Sequence, residues 1–231
     1  MSESQVAPAA PQTPGFRMIR TLGAIAMLSG LLVVLVFQYT KPIIAENQRI
    51  AIEKAVFKVV PGASRRVDVM LGENGVAVPG EDSGAGEKVY AAFDDQGNLK
   101  GVALASGAQG YQDIVKLLYG YDPECACIRG IKILKMTETP GLGDKIAFDP
   151  AFLKNFEALD ARLDASGSAL AHAIISVKHG SKTESWQIDA ISGATISSKA
   201  VVQIINRGNQ RWVPRFSGSE TMPKPTPVGG K

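Results

Sequence analysis

Cysteine and histidine are scarce in this sequence, and their scarcity removes several chemistries at once. Two cysteines, Cys125 and Cys127, are too few for a disulfide framework. With only His172 and His179 beside them, a four-ligand zinc centre has little to draw on. No Cys-x-x-Cys-His occurs, so attachment of a c-type haem is unsupported. Cys125-Ala126-Cys127 reads as alternate residues on a strand, following the usual burial habit of cysteine, with a redox-active or disulfide-bonded pair as the other reading. Basic runs interleaved with aromatics are also missing. The formal charge of +3 is spread along 231 residues, which leaves a nucleic-acid partner without a footprint. No internal repeat of useful length is visible.

Charge itself is absent from one stretch. Between Arg20 and Lys41 lie the uncharged residues Thr21 to Thr40, including the run Leu31-Leu-Val-Val-Leu-Val-Phe37. A helix of about 20 residues spans about 30 Å, the thickness of the hydrocarbon layer. A cleavable signal peptide would need a small-x-small site after Phe37 and finds none, so the expectation is an uncleaved transmembrane helix over 19–40. Arg17 and Arg20 precede the span, whereas Lys41, Arg49, Lys54 and Lys58 follow it. Large folded domains translocate largely regardless of such counts, so charge alone does not set the orientation. Ala26 and Gly30 form a small-xxx-small pair at which a neighbouring helix can approach.

The sequence predicts four segments: a disordered tail over 1–18, the span over 19–40, one folded domain over 41–215, and a Pro/Gly-rich flexible tail over 216–231. Within the domain, the apolar spacing of Ile44, Ala51, Ile52, Ala55, Val56 and Val59 predicts a helix over about 45–60, stopped by Pro61-Gly62. Strands are expected over 66–71, 89–93, 99–105, 114–119 and 128–136, with Asp94-Asp-Gln-Gly-Asn98 as a hairpin turn. Phe148 to Phe156 reads as a helix with Asp149 as N-cap and Pro150 at its first position. Strands over 173–178 and 186–191 then lead to a last helix from about Ile196. Strands and helices segregate, so the fold class is α+β.

The junction at Ser192-Gly193-Ala194-Thr195 carries the chemistry. The first amides of a helix have no intrahelical acceptor and sit at the positive end of its dipole, a favourable place for an anion attached at Thr195. The competing reading is an ordinary N-cap made by Ser192 or Thr195. A hydrolase using either hydroxyl as nucleophile finds neither histidine in a recognisable nucleophile–base signature.

Asp189-Ala-Ile-Ser192-Gly193-Ala194-Thr195 resembles the flavinylation pattern Asp-x-x-Ser/Thr-Gly-Ala-Thr/Ser of the FMN-binding domain family. That family includes the G subunit of the Rnf ferredoxin:NAD⁺ oxidoreductase and the C subunit of the Na⁺-translocating NADH:quinone reductase. Glu138-Thr139-Pro140-Gly141-Leu142-Gly143 is similar to the family's loop near the flavin ring, and Pro140-Gly141 suits a type II turn. Gly110-Tyr111 with Ile114 resembles a segment of the Rnf branch, and Val59-Val-Pro-Gly-Ala63 resembles the stretch that follows the family's anchor. The four segments occur in the family's order; Met136 departs from it, at a place where Rnf members often have histidine.

The resemblance implies FMN attached through its phosphate to Thr195 by a separate flavin transferase that uses FAD. Ser192, Gly193, Ala194, Glu138, Thr139, Leu142 and Gly143 would be its neighbours. It further implies an electron carrier, not a catalyst on its own, on the periplasmic side of the inner membrane beside other integral membrane subunits of an Rnf-type, ion-translocating complex. The alternative is a non-redox membrane-anchored assembly or sensory module in which the motif only caps a helix.

Overall fold

The computed structural model describes residues 15–72, 75–77 and 87–216. The rest of both expected tails, 1–14 and 217–231, lies outside the described residues. Helix α1, Gly15–Val59, runs through the apolar stretch and on past Lys41. The sequence suggests two helices with a break between them. Pro42 instead sits inside one helix, where it removes one amide donor without ending the structure. Gly15 to Met18, read from the sequence as the end of the tail, form the first turn of α1.

The chain divides into two compact units at Arg49 and Ile50. In the first, α1 is long and apolar enough to cross a membrane, and none of its most apolar stretch is buried. Leu31, Leu32, Val33, Val34, Leu35, Val36 and Phe37 are all exposed. This is the composition of a helix whose side chains face hydrocarbon on every side.

The second unit is built on an antiparallel sheet. Its strands are β1 Arg65–Gly72, β2 Gly75–Ala77, β3 Glu87–Phe93, β4 Leu99–Gln109, β5 Ile114–Asp122, β6 Cys127–Lys135 and β7 Leu159–Asp160, in the order β2-β1-β3-β4-β5-β6-β7. The hairpin between β3 and β4 forms where turn chemistry predicts it: Asp94 Oδ1 accepts from the amides of Gln96 at 2.9 Å and Asn98 at 2.8 Å. A smaller parallel pair, β8 Ile175–Val177 and β9 Gln187–Asp189, leads to helix α3, Thr195–Phe216. Between β6 and β7, α2, Pro150–Lys154, starts as predicted, with Asp149 Oδ1 accepting from Phe152 N at 3.0 Å. The two-residue strand β7 and the short 3-10 turn Gly143–Ala147 are too brief to leave a periodic signal.

Alternation along the strands gives the sheet two buried faces. Val102, Leu104, Leu117 and Tyr119 join Val201, Ile204 and Ile205 of α3 in the larger core. Tyr90, Ala92, Ala103 and Leu118 pack instead on Ala55, Val56, Val59 and Val60 at the end of α1. Gly120 and Gly130 face each other across β5 and β6, and the α1 terminus lies over them. A Cβ on Gly120 would strike the carbonyl oxygen of Val59, and one on Gly130 would come to 3.3 Å from Val59 Cα. Glycine is what permits this helix end to lie against the sheet.

Cys125 and Cys127 are joined in a disulfide, with Cα atoms 5.2 Å apart. This corrects the expectation of alternate strand residues. The turn between β5 and β6 occupies residues 123–126, so Cys125 lies before the strand, and Ala126 takes φ +51°. That turn brings the two thiols together, which an extended strand cannot do.

Candidate functional site

Thr195 is the first residue of α3 and is exposed. The first helical bond runs from Ser198 N to Ala194 O at 2.9 Å, leaving the amides of Thr195, Ile196 and Ser197 outside the ladder. Ser198, a residue that no motif singles out, ties the segment before α3 to its first turn. Its hydroxyl, completely buried, accepts from Ile191 N at 3.2 Å and donates to Ala194 O at 2.9 Å. Neither the Ser192 nor the Thr195 hydroxyl makes a hydrogen bond to another described residue. The contact that a simple cap requires is therefore missing at Thr195.

Two hollows meet at Thr195 and Gly193. The first, of about 530 Å³, is lined by Thr195, Gly193, Ala194, Glu138, Thr139, Leu142 and Gly143, together with Tyr111, Ile196 and Ser197. Pro140 and Gly141 make the expected turn here: Leu142 N donates to Thr139 O at 3.1 Å, and Gly141 has φ +78°. Leu142, Tyr111 and Ile196 leave apolar surface exposed around the opening. This is a wall suited to a flat aromatic ring.

Glu138 organises this hollow. It is only 6% exposed, and Oε1 accepts from the amides of Tyr111 at 2.9 Å and Gln112 at 3.3 Å. Its other oxygen accepts from Ser197 Oγ. One carboxylate thus ties the β4–β5 loop, the loop after β6 and the first turn of α3 together, with both of its oxygens engaged within the protein. Gly143 is glycine for the same reason. A Cβ there would lie 2.6 Å from Glu138 Oε2 and 2.8 Å from Ser197 Oγ.

Ser192 does not line the first hollow; it borders the second, of about 460 Å³, with Ser176, Lys178, His179, Thr195 and Lys199. Asp189, the first residue of the motif, holds that wall. Its Oδ1 accepts from Gly180 N at 2.7 Å, and Oδ2 lies 3.5 Å from His179 Nδ1. Asn155 fixes Asp189 in turn, with Oδ1 accepting from Asp189 N at 3.0 Å and from Lys182 Nζ at 3.2 Å. Burial pushes the Lys182 ammonium below the usual lysine range, against the opposing charge of Asp189.

The residues fit a phosphorylated flavin on structural grounds. The apolar hollow suits the ring, and cations line the other side of Thr195. Ser176 Oγ, buried there, has no hydrogen-bond partner among the described residues. Seven of the eight site residues expected from the sequence come together in one hollow. Ser197, Ile196 and the cationic wall were not expected, because their members are distant in sequence or carry no motif. No group of three or more His, Cys, Asp or Glu side chains suited to a metal occurs among the described residues.

Comparison with known proteins gives a consistent answer. An FMN-binding domain model matches residues 110–210. The G subunit of the ion-translocating oxidoreductase complex of Escherichia coli K12 is 32% identical over 189 residues, covering 81% of this chain and 85% of that protein. The G subunit of the Na⁺-translocating ferredoxin:NAD⁺ oxidoreductase complex of Acetobacterium woodii is 30% identical, covering 71% of this chain and 70% of that one. Among solved structures, the C subunit of the Na⁺-translocating NADH-quinone reductase from Parabacteroides distasonis superposes with a TM-score of 0.53 at 25% identity, over 67% of this chain and 78% of that one. NqrC of Shewanella oneidensis, at 19% identity, shares the fold with a TM-score of 0.52 over 74% of this chain and 95% of its own. The chain belongs to the family of G subunits of ion-translocating oxidoreductase complexes, and it carries the FMN-binding domain.

Proposed function

We propose that this chain is an electron-transfer subunit of a redox-driven, ion-translocating membrane complex of the Rnf type, and that it carries FMN as a phosphoester on Thr195. The observation that carries this reading is the state of Thr195: an exposed hydroxyl, free of capping duty, where an apolar hollow meets a cationic one at a helix N-terminus. The rival reading, an anchored module in which the motif is only a cap, loses support because neither the Ser192 nor the Thr195 hydroxyl makes a capping bond to the first turn of α3.

In attachment, Thr195 Oγ bonds to the phosphorus of the FMN half of FAD, the pyrophosphate linkage breaks, AMP leaves, and the hydroxyl proton passes to the flavin transferase. The bound flavin supplies the redox chemistry by taking up and passing on electrons. The residues here provide position and environment. Leu142, Tyr111 and Ile196 would offer the ring an apolar surface, and the Glu138–Ser197 contact keeps the three surrounding segments in register. A covalent link removes cofactor dissociation from a relay whose flavin stays open to a partner. Those partners are the integral membrane subunits of the complex, beside which α1 holds the domain.

The same reading puts the flavin domain on the periplasmic side of the inner membrane. The Cys125–Cys127 disulfide supports it, because such bonds persist in oxidising compartments and are rare in the cytosol. The test of attachment is co-expression with a periplasmic flavin transferase, followed by fluorescence of the denatured band and mass spectrometry of the Thr195 peptide. Fluorescence is expected in the native chain and lost in Thr195→Ala; a flavin-free native chain overturns the relay. A reporter fused after Lys231 is expected to be active only outside the cytoplasm.

A further inference from the structure

The second hollow at Thr195 differs from the first in chemistry. Its wall carries Lys178 and Lys199, and no carboxylate lines it. Neither lysine has an ion-pair partner among the described residues. His179 lines the same wall, with Nδ1 3.5 Å from the Asp189 carboxylate. His179 also borders a smaller hollow, of about 210 Å³, that holds Lys145 and Asp149. The buried Ser176 hydroxyl completes the set as a hydrogen-bonding group without a protein partner. Two ammonium groups without ion-pair partners, on a wall that holds no carboxylate, favour an anion in this hollow.

Resting on the FMN reading above, we propose that this hollow, lined by Ser176, Lys178, His179 and Lys199, is the phosphoryl subsite for the flavin, while the hollow lined by Tyr111, Leu142 and Ile196 takes its ring. Asp189 is then a positioning residue. By holding Gly180 N and His179 it fixes the turn that presents Lys178 to Thr195. The division explains why the two hollows meet at this threonine: it lies where the ring and phosphate ends of one ligand part company. The subsite favours flavin phosphate over neutral flavin before any covalent bond is made.

The test uses the full chain in detergent, isolated without flavin transferase so that Thr195 is unmodified. Calorimetric titration compares FMN, riboflavin and AMP. FMN is expected to bind at least about ten-fold tighter than riboflavin, with the advantage shrinking as salt rises. In Lys178→Met/Lys199→Met, both changes being at exposed positions, the FMN-to-riboflavin ratio is expected to fall to about one. Leu142→Ser is expected to weaken both flavins together. In NMR, FMN but not riboflavin should perturb the ring signals of His179, with His172, the only other histidine, as internal reference. Equal affinity for FMN and riboflavin, a ratio unchanged in the double variant, or AMP binding as tightly as FMN overturns the subsite. The outcomes separate from those of attachment: a native chain loaded on Thr195 with no lysine-dependent phosphate preference removes only the subsite, and lysine-dependent FMN binding in a chain that is never modified removes only the covalent link.

Discussion

Ser197 Oγ donates to the buried carboxylate of Glu138, a hydrogen bond between residues 59 positions apart. It joins the first turn of α3 to the loop after β6, and the same carboxylate holds two amides of the β4–β5 loop. Three chain segments that border one hollow therefore depend on a single side chain.

Removing either partner leaves buried polar groups unsatisfied. Glu138→Ala is expected to cost about 3 kcal/mol and Ser197→Ala about 1–2 kcal/mol. The double variant should fall short of their sum by at least about 1 kcal/mol, since the two changes remove the same bond. Thermal unfolding of the four proteins of the cycle measures this; strict additivity contradicts the coupling.

Gly120→Ala places a methyl group against the Val59 carbonyl, a backbone atom that cannot swing aside. A loss above about 2 kcal/mol is expected, because the end of α1 must lift from the sheet. Denaturant unfolding gives the value, and an alanine variant within about 0.5 kcal/mol of the parent counters this account.

The Cys125–Cys127 disulfide closes a very short loop, so its entropic effect on the unfolded chain is small. Cys125→Ser/Cys127→Ser is expected to cost no more than about 1–2 kcal/mol. Flavin content of the transferase-treated variant should match that of the parent, as neither cysteine lines either hollow at Thr195.

Hydrogen bonds from Arg162 hold the Asp160 carboxyl below the usual aspartate range, with burial acting the other way. A depressed folded-state value stabilises the protein above the unfolded pKa of about 4, and the contribution is lost as pH falls through the folded value. Asp160→Asn is accordingly expected to be less stable than the parent at pH 7, with the gap narrowing below about pH 4. Unfolding measured from neutral pH down to about pH 2.5 checks the sign.

The sequence by itself determined the α+β class, the long apolar helix, the β3–β4 hairpin and the strand-to-helix step at Thr195. Each of these rests on local rules: length without charge, turn chemistry at Asp94 to Asn98, and helical spacing from Ile196 to Ile205. Family resemblance was legible as well, because the motif and the Glu138 to Gly143 loop are contiguous. Tertiary structure alone decided that Ser198 ties Ile191 to the first turn of α3 and that Glu138 spends its carboxylate on Ser197, Tyr111 and Gln112. It also brought Lys178 and Lys199 to one hollow, closed the disulfide between two residues expected on a strand, and carried α1 through Pro42. The physical reason is common to most of these. Carboxylate pairing and cationic clustering depend on which side chains meet when distant segments pack, and sequence spacing does not encode that meeting.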